Sequence, residues 1–128
     1  MYKLLLVFSL TFLTTLDVSA QEISTKCSFM QITTIESIIG GGSGRSRMLI
    51  TKEDGSQEER EMENLFSIAG INFKNIKTNE SSILTTLKSF TDEGWKLVYT
   101  VPLTVSPTQG GAGIFMTRYL LSREEGKK

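Results

Sequence analysis

The 128-residue chain carries 14 basic and 14 acidic residues, no histidine and one cysteine, Cys27. Those counts exclude Ser-His and Cys-His nucleophile pairs, zinc sites built on His and Cys, and any disulfide within the chain. Zero net charge gives no overall field for nucleic acid, and no residue pattern calls for a cofactor or a metal.

The first twenty residues, MYKLLLVFSLTFLTTLDVSA, place Lys3 before an apolar run from Leu4 to Leu16 and close on Val18-Ser19-Ala20. That layout predicts a signal peptide cleaved after Ala20, and hence an exported protein, periplasmic or extracellular. Read instead as a membrane span, the apolar run would be about 20 Å long against a hydrocarbon core of about 30 Å. Removing 20 of 128 residues leaves 108, one domain, and takes one charge of each sign (Lys3, Asp17), so the net charge stays at zero. A single thiol fits a bacterial periplasm better than a disulfide-dense secreted domain. Lys26, directly before Cys27, argues against lipid attachment at that cysteine.

Residues 21–26 read as a flexible lead-in to a domain at 27–123. The β-branched and aromatic segment 27–39 reads as a strand. Gly40-Gly41-Gly42-Ser43-Gly44 breaks it, and a second strand is expected over about Arg45 to Lys52. The glycine run invites an anion-nest reading with Arg45 and Arg47 beside it. It lacks the lysine of a nucleotide loop and precedes a strand, so a hairpin loop is the stronger reading. Arg45 and Arg47 remain the only candidate binding residues.

Asp54-Gly55 predicts a tight turn into a polar third strand, Gln57 to Met62, whose acidic excess suits a solvated edge. Residues 64–78 suggest a short helical turn and an extended connector. A helix of about 13 residues is expected from Asn79 as N-cap, with Ile83, Leu84, Leu87 and Phe90 on one face. Asn79-Glu80-Ser81 also matches a glycosylation acceptor, relevant only in a eukaryotic secretory pathway. Gly94 ends the helix and folds Trp95 back toward Phe90. Asp92 and Glu93 carry the wrong sign for a helix carboxyl end.

From Trp95 to Val105 the odd-numbered residues form one apolar face, read as core, and Pro102 marks an edge strand or a bulge. Ser106 to Gly113 is a loop, Ile114 to Ser122 the closing strand, and 124–128 a charged, frayed tail. The expected fold is α+β, an antiparallel sheet of four or five strands with one main helix packed on one face. The sheet's predicted core residues are Phe29, Leu49, Trp95, Leu97, Tyr99, Val101, Phe115 and Tyr119.

The carboxyl half, with Leu84 and Leu87 on a helix, then Glu93-Gly94-Trp95-Lys96-Leu97-Val98 and the closing strand Arg118-Tyr119-Leu120-Leu121-Ser122-Arg123, resembles a small bacterial family catalogued as domain of unknown function 4177. Lys96 stands where that family carries a second glutamate, and Phe29 matches the aromatic residue that opens its first strand. The resemblance covers about half of the chain after Ala20, because Gly40 to Thr78 is longer than the family pattern. It implies a fold and supplies no reaction, ligand or catalytic residue.

With no catalytic nucleophile in view, the leading reading is a non-catalytic binding or interaction module for a protein or small ligand, with the glycine-rich loops and an exposed strand edge as its surface. One alternative is a small hydrolase using carboxylates such as Glu58, Glu61 or Asp92, which needs two acids about 5 to 10 Å apart in a pocket. Another is self-assembly through a sheet edge into a homo-oligomer. Trp95 and Tyr99 could join an aromatic recognition surface, but their placement favours core packing.

Overall fold

The computed structural model describes residues 26–39, 45–105 and 113–126. β-Branched and apolar residues build β1 (Cys27–Ser37) and β2 (Arg47–Thr51), and the wholly polar β3 (Gln57–Glu61) pairs with β2 at the sheet edge. Two short strands, β4 (Phe66–Ser67) and β5 (Gly70–Ile71), pair only with each other and lead into α1 (Phe73–Asp92). Then come β6 (Lys96–Val105) and β7 (Ile114–Glu124). The main sheet runs β3-β2-β1-β7-β6, every pairing is antiparallel, and the fold is α+β as expected. Both glycine-rich segments, 40–44 and 106–112, lie outside the described residues.

The turn at Asp54-Gly55 forms as expected, with Gly55 at φ 81° and the Asp54 carboxylate accepting from the Ser56 amide at 2.9 Å. The helix, in contrast, is 20 residues long and starts six residues before Asn79. Its N-cap is Asn72, whose side chain accepts from the Asn75 amide at 3.3 Å. The expected helical turn and connector at 64–78 are replaced by the β4–β5 hairpin and the helix's own first turns. Gly70, at φ 110°, supplies the backbone freedom that the hairpin needs.

At the other end the helix stops where the sequence says. Gly94 takes φ 90°, and the amides of Gly94 and Trp95 donate to the carbonyls of Thr91 and Phe90, each at 3.0 Å. Asp92 pairs with Lys88 one turn back, which gives this acidic residue a partner at an unfavourable helix end. Gly94→Ala is expected to cost about 1 kcal/mol in urea unfolding, from the left-handed backbone alone. The added Cβ would meet nothing nearer than Arg123 Cδ at 3.9 Å, so a much larger loss would contradict that cause.

The helix packs on the β1, β2 and β3 side of the sheet. Met30, Ile32, Met48, Ile50, Trp95 and Leu121 form the buried core, with Ile83, Leu87 and Phe90 of the helix, Met62 and Tyr119 against it. Ile32 registers with Ile50 on one side and Tyr119 on the other, so the core rows run straight across the strands. On β1 and β2 the buried set is therefore the opposite phase from Phe29 and Leu49, which point away from the helix. Leu84, Leu97 and Phe115, also expected in the core, are exposed, because the helix does not reach across β6 and the end of β7.

Thr34 sits in this core, 1% exposed, and its hydroxyl has no hydrogen-bond partner. Replacing it by the isosteric valine removes an unpaired buried polar atom. Thr34→Val is expected to raise unfolding free energy by about 1 kcal/mol, measured in urea. A loss of similar size would mean that the hydroxyl is bonded.

The described part of the tail, residues 124–126, is held and not frayed. β7 continues to Glu124, and the Glu125 amide donates to the Lys26 carbonyl at 2.8 Å. The Glu125 carboxylate meets Lys26 Nζ at 2.8 Å and accepts from the Ser28 hydroxyl at 3.0 Å. Hydrogen bonding from Lys26, then from Ser28, holds the Glu125 carboxyl below the usual carboxylate range, and the same contact lifts Lys26.

Candidate interaction surface

β6 positions the surface that distinguishes this fold. Leu97 registers with Leu121 on the helix side, but Tyr99, not Val98, registers with Leu120 on the other side. The extra residue, Val98, is a bulge, and it reverses the direction of every side chain after it. Tyr99, Val101 and Leu103 therefore leave the core face on which the unbroken alternation places them. Tyr99 is 66% exposed and Val101 46%. Of the two aromatics between residues 95 and 105, both expected in the core, Trp95 is there and Tyr99 is not.

Cross-strand partners share a face, so the register defines the rest of this open side. β7 contributes Ile114, Met116, Arg118 and Leu120, β1 contributes Phe29, Gln31, Thr33 and Ile35, and β2 contributes Leu49 flanked by Arg47 and Thr51. At the β3 margin stand Gln57, Glu59 and Glu61. Phe29 is 53% exposed, and Ile35, Leu49, Met116 and Leu120 are half-buried. Among the described residues no element covers this side. It is an apolar sheet face in a two-layer fold whose helix covers only the other face.

The residues singled out in the sequence lie apart. Arg45 is exposed just before β2. Arg47 sits at the margin of the open face, held by Glu59 through Nε and by Glu61 at 4.0 Å, with Nη1 donating to the Ser46 carbonyl. Its charge is thus already met by two carboxylates. Glu58 points to the helix side, Glu61 lies on the opposite face, and Asp92 ends the helix beside Lys88, so these three acids do not gather in one pocket.

A separate cleft of about 450 Å³ opens beside Trp95, walled by Lys52, Glu53, Asp54, Glu58, Arg60, Glu93 and Arg123. The Arg123 guanidinium lies 4.4 Å over the Trp95 ring and 3.6 Å from Glu53. Arg60 bonds Glu58 at 2.7 Å and the Thr86 hydroxyl at 3.0 Å. The hydrogen bond from Arg60, backed by its charge, holds the Glu58 carboxyl below the usual range. Both arginines of the cleft are thus matched by glutamates of the same chain, which leaves little uncompensated charge to select a ligand. No three of His, Cys, Asp or Glu come together where they could hold a metal among the described residues. No helix among them is long and apolar enough to cross a membrane.

The open face was missed in the sequence, though a signal is present. Leu97-Val98 and Leu120-Leu121 put apolar residues on both phases of β6 and β7, which is how a strand reads when both its faces are apolar. No family model, curated protein or solved structure matches the chain.

Proposed function

We propose that the chain is an exported, non-catalytic interaction module that works through the open face of its sheet, and that its carboxyl half is related to the unknown-function family that it resembles. The observation that carries the functional reading is the uncovered apolar band of Phe29, Tyr99, Val101, Leu103, Met116 and Leu120. Burial of such side chains is favourable by about 1.5 to 3 kcal/mol each, so a partner that covers the band gains binding energy without rearranging the core. The signal layout at residues 1–20 supports export, and Glu93-Gly94-Trp95-Lys96-Leu97-Val98 supports the kinship.

A photo-reactive amino acid at position 101, compared with one at exposed Lys77 on the helix, tests the functional reading in envelope preparations. Discrete crosslinked products are expected from position 101 and none from position 77. Equal yields from the two positions, or none from 101, would overturn the choice of surface.

A further inference from the structure

We infer that Arg118 selects the partner of the open face, and that this partner is a different protein whose apolar contact surface sets an aspartate or glutamate at its centre. This rests on the interaction-module reading and names the chemistry that the face takes.

The register gives Arg118 a central place. On β7 it lies between Met116 and Leu120, each two residues or about 7 Å away, with Val101 of β6 and Thr33 of β1 about 4.8 Å to either side. Arg118 is exposed, and no described residue forms an ion pair with it. Its own chain sets no acid within reach. Among the described strand residues, the acids on this face are Glu59 and Glu61 of β3, at least three strand spacings or about 14 Å away, and Glu124, six residues along β7 or about 20 Å. All three already face a cation, Arg47 or Lys96.

A partner that covers the surrounding apolar residues must also cover this cation. Taken from water without a counter-charge, a guanidinium costs more than burial of any one neighbouring side chain returns, so a wholly apolar occupant is selected against. A carboxylate placed opposite turns the same group into a bidentate pair, screened from water by the apolar contacts around it.

That carboxylate belongs to a protein. Attachment to an anionic lipid surface takes a cluster of cations, whereas the strands of this face hold a single unmatched one and carry Glu59 and Glu61 along the β3 margin. From the row of Ile35 to that of Phe29, six residues along β1, the apolar contacts extend about 20 Å. A small acid, which takes an enclosing pocket, does not span them. A second copy offers on this face only acids that are already held.

Photo-crosslinking in envelope preparations from position 101, the cross-strand neighbour of Arg118, provides the test. Arg118→Met keeps an unbranched stem and removes the charge, and is expected to lower the yield of the crosslinked product roughly tenfold or more, while Arg118→Lys retains most of it. Neither change is expected to alter the circular dichroism spectrum or the unfolding transition, which a purely structural role would shift. A carbodiimide, which joins an amine to a carboxylate without a spacer, is then applied to Arg118→Lys. The amine at position 118 is expected to couple to an aspartate or glutamate of the same crosslinked protein, as mapped by mass spectrometry. A product whose yield ignores Arg118→Met, or a carbodiimide product that never involves position 118, overturns the inference and leaves the interaction reading standing. So does a product with lipid alone or with a second copy of the chain. No product from position 101 in any variant removes both readings.

Discussion

Trp95→Ala is expected to lower the unfolding free energy by about 3 to 5 kcal/mol, the range for emptying a large aromatic site in a packed core. The ring is 6% exposed and belongs to the buried cluster with Met30, Ile32, Met48, Ile50 and Leu121, and Phe90 packs against that cluster from the helix. It also seats Arg123, whose guanidinium stacks on its outer face, so the substitution removes a support for the end of β7. Against a total stability of about 5 to 15 kcal/mol, the variant should be partly unfolded at 37 °C. Since Trp95 is the only tryptophan, urea unfolding followed by far-ultraviolet circular dichroism is the suitable measurement. Arg123→Ala should cost only about 0.5 to 1 kcal/mol, as an exposed cation over a ring contributes. A Trp95→Ala loss no larger than that would show that the ring is not a core element.

Asn79→Ala follows, with an expected loss of about 3 kcal/mol, because it strands several buried polar groups at once. Asn79 lies mid-helix and is 1% exposed. Its amide donates to the Glu63 carbonyl at 2.8 Å and to the Glu36 carboxylate at 3.1 Å, and its oxygen accepts from the Glu63 amide at 2.9 Å. One side chain thereby fastens the connector after β3 both to the helix and to β1. The neighbouring Ser46 and Asn64 extend the seam, since the Ser46 hydroxyl donates to Asn64 at 3.0 Å and accepts from the Ser37 amide at 2.9 Å. Alanine leaves the Glu63 peptide group without these partners, so hydrogen exchange at the Glu63 amide should accelerate more than at the helix centre. Unchanged protection there would contradict the role given to Asn79.

Asn79 also shows where sequence reading reached its limit. An asparagine before Glu80 on an apolar-periodic segment has the pattern of an N-cap, and nothing local says that its side chain is spent on a connector sixteen residues earlier. The true cap, Asn72, lies behind a glycine-containing stretch in which a two-stranded hairpin gives no periodicity. Features whose cause is local were legible: the Asp54-Gly55 turn, the Gly94 stop with Trp95 folded back, the edge position of Pro102 and the overall α+β class. Features set by tertiary contact were not. β1 carries apolar residues on both phases, Phe29 and Ile35 against Met30 and Ile32, so alternation alone cannot say which set meets the helix.

The same limit explains the candidate site. The bulge at Val98 adds one residue to β6 against β7, and that count is fixed by pairing and not by any residue type in Trp95 to Val105. Without it, Tyr99 and Val101 fall on the helix side; with it, they join the open face, Tyr99 as its most exposed apolar residue. Arg45 and Arg47 were conspicuous in the sequence because they flank glycines, yet Arg47 is occupied by Glu59 and Glu61. Arg118, which drew no comment as part of a closing strand, is the cation at the centre of the open side.

The most direct test of that face as the working surface is thiol protection in place. In a Cys27→Ser background, single cysteines at Val101, Met116 and Lys77 would be labelled with a maleimide, both in the dilute purified protein and in intact envelope. Labelling at positions 101 and 116 should slow at least tenfold in the envelope while position 77 keeps its rate. Equal labelling of all three positions in both settings would mean that nothing in the envelope covers the open face, and the account would fail.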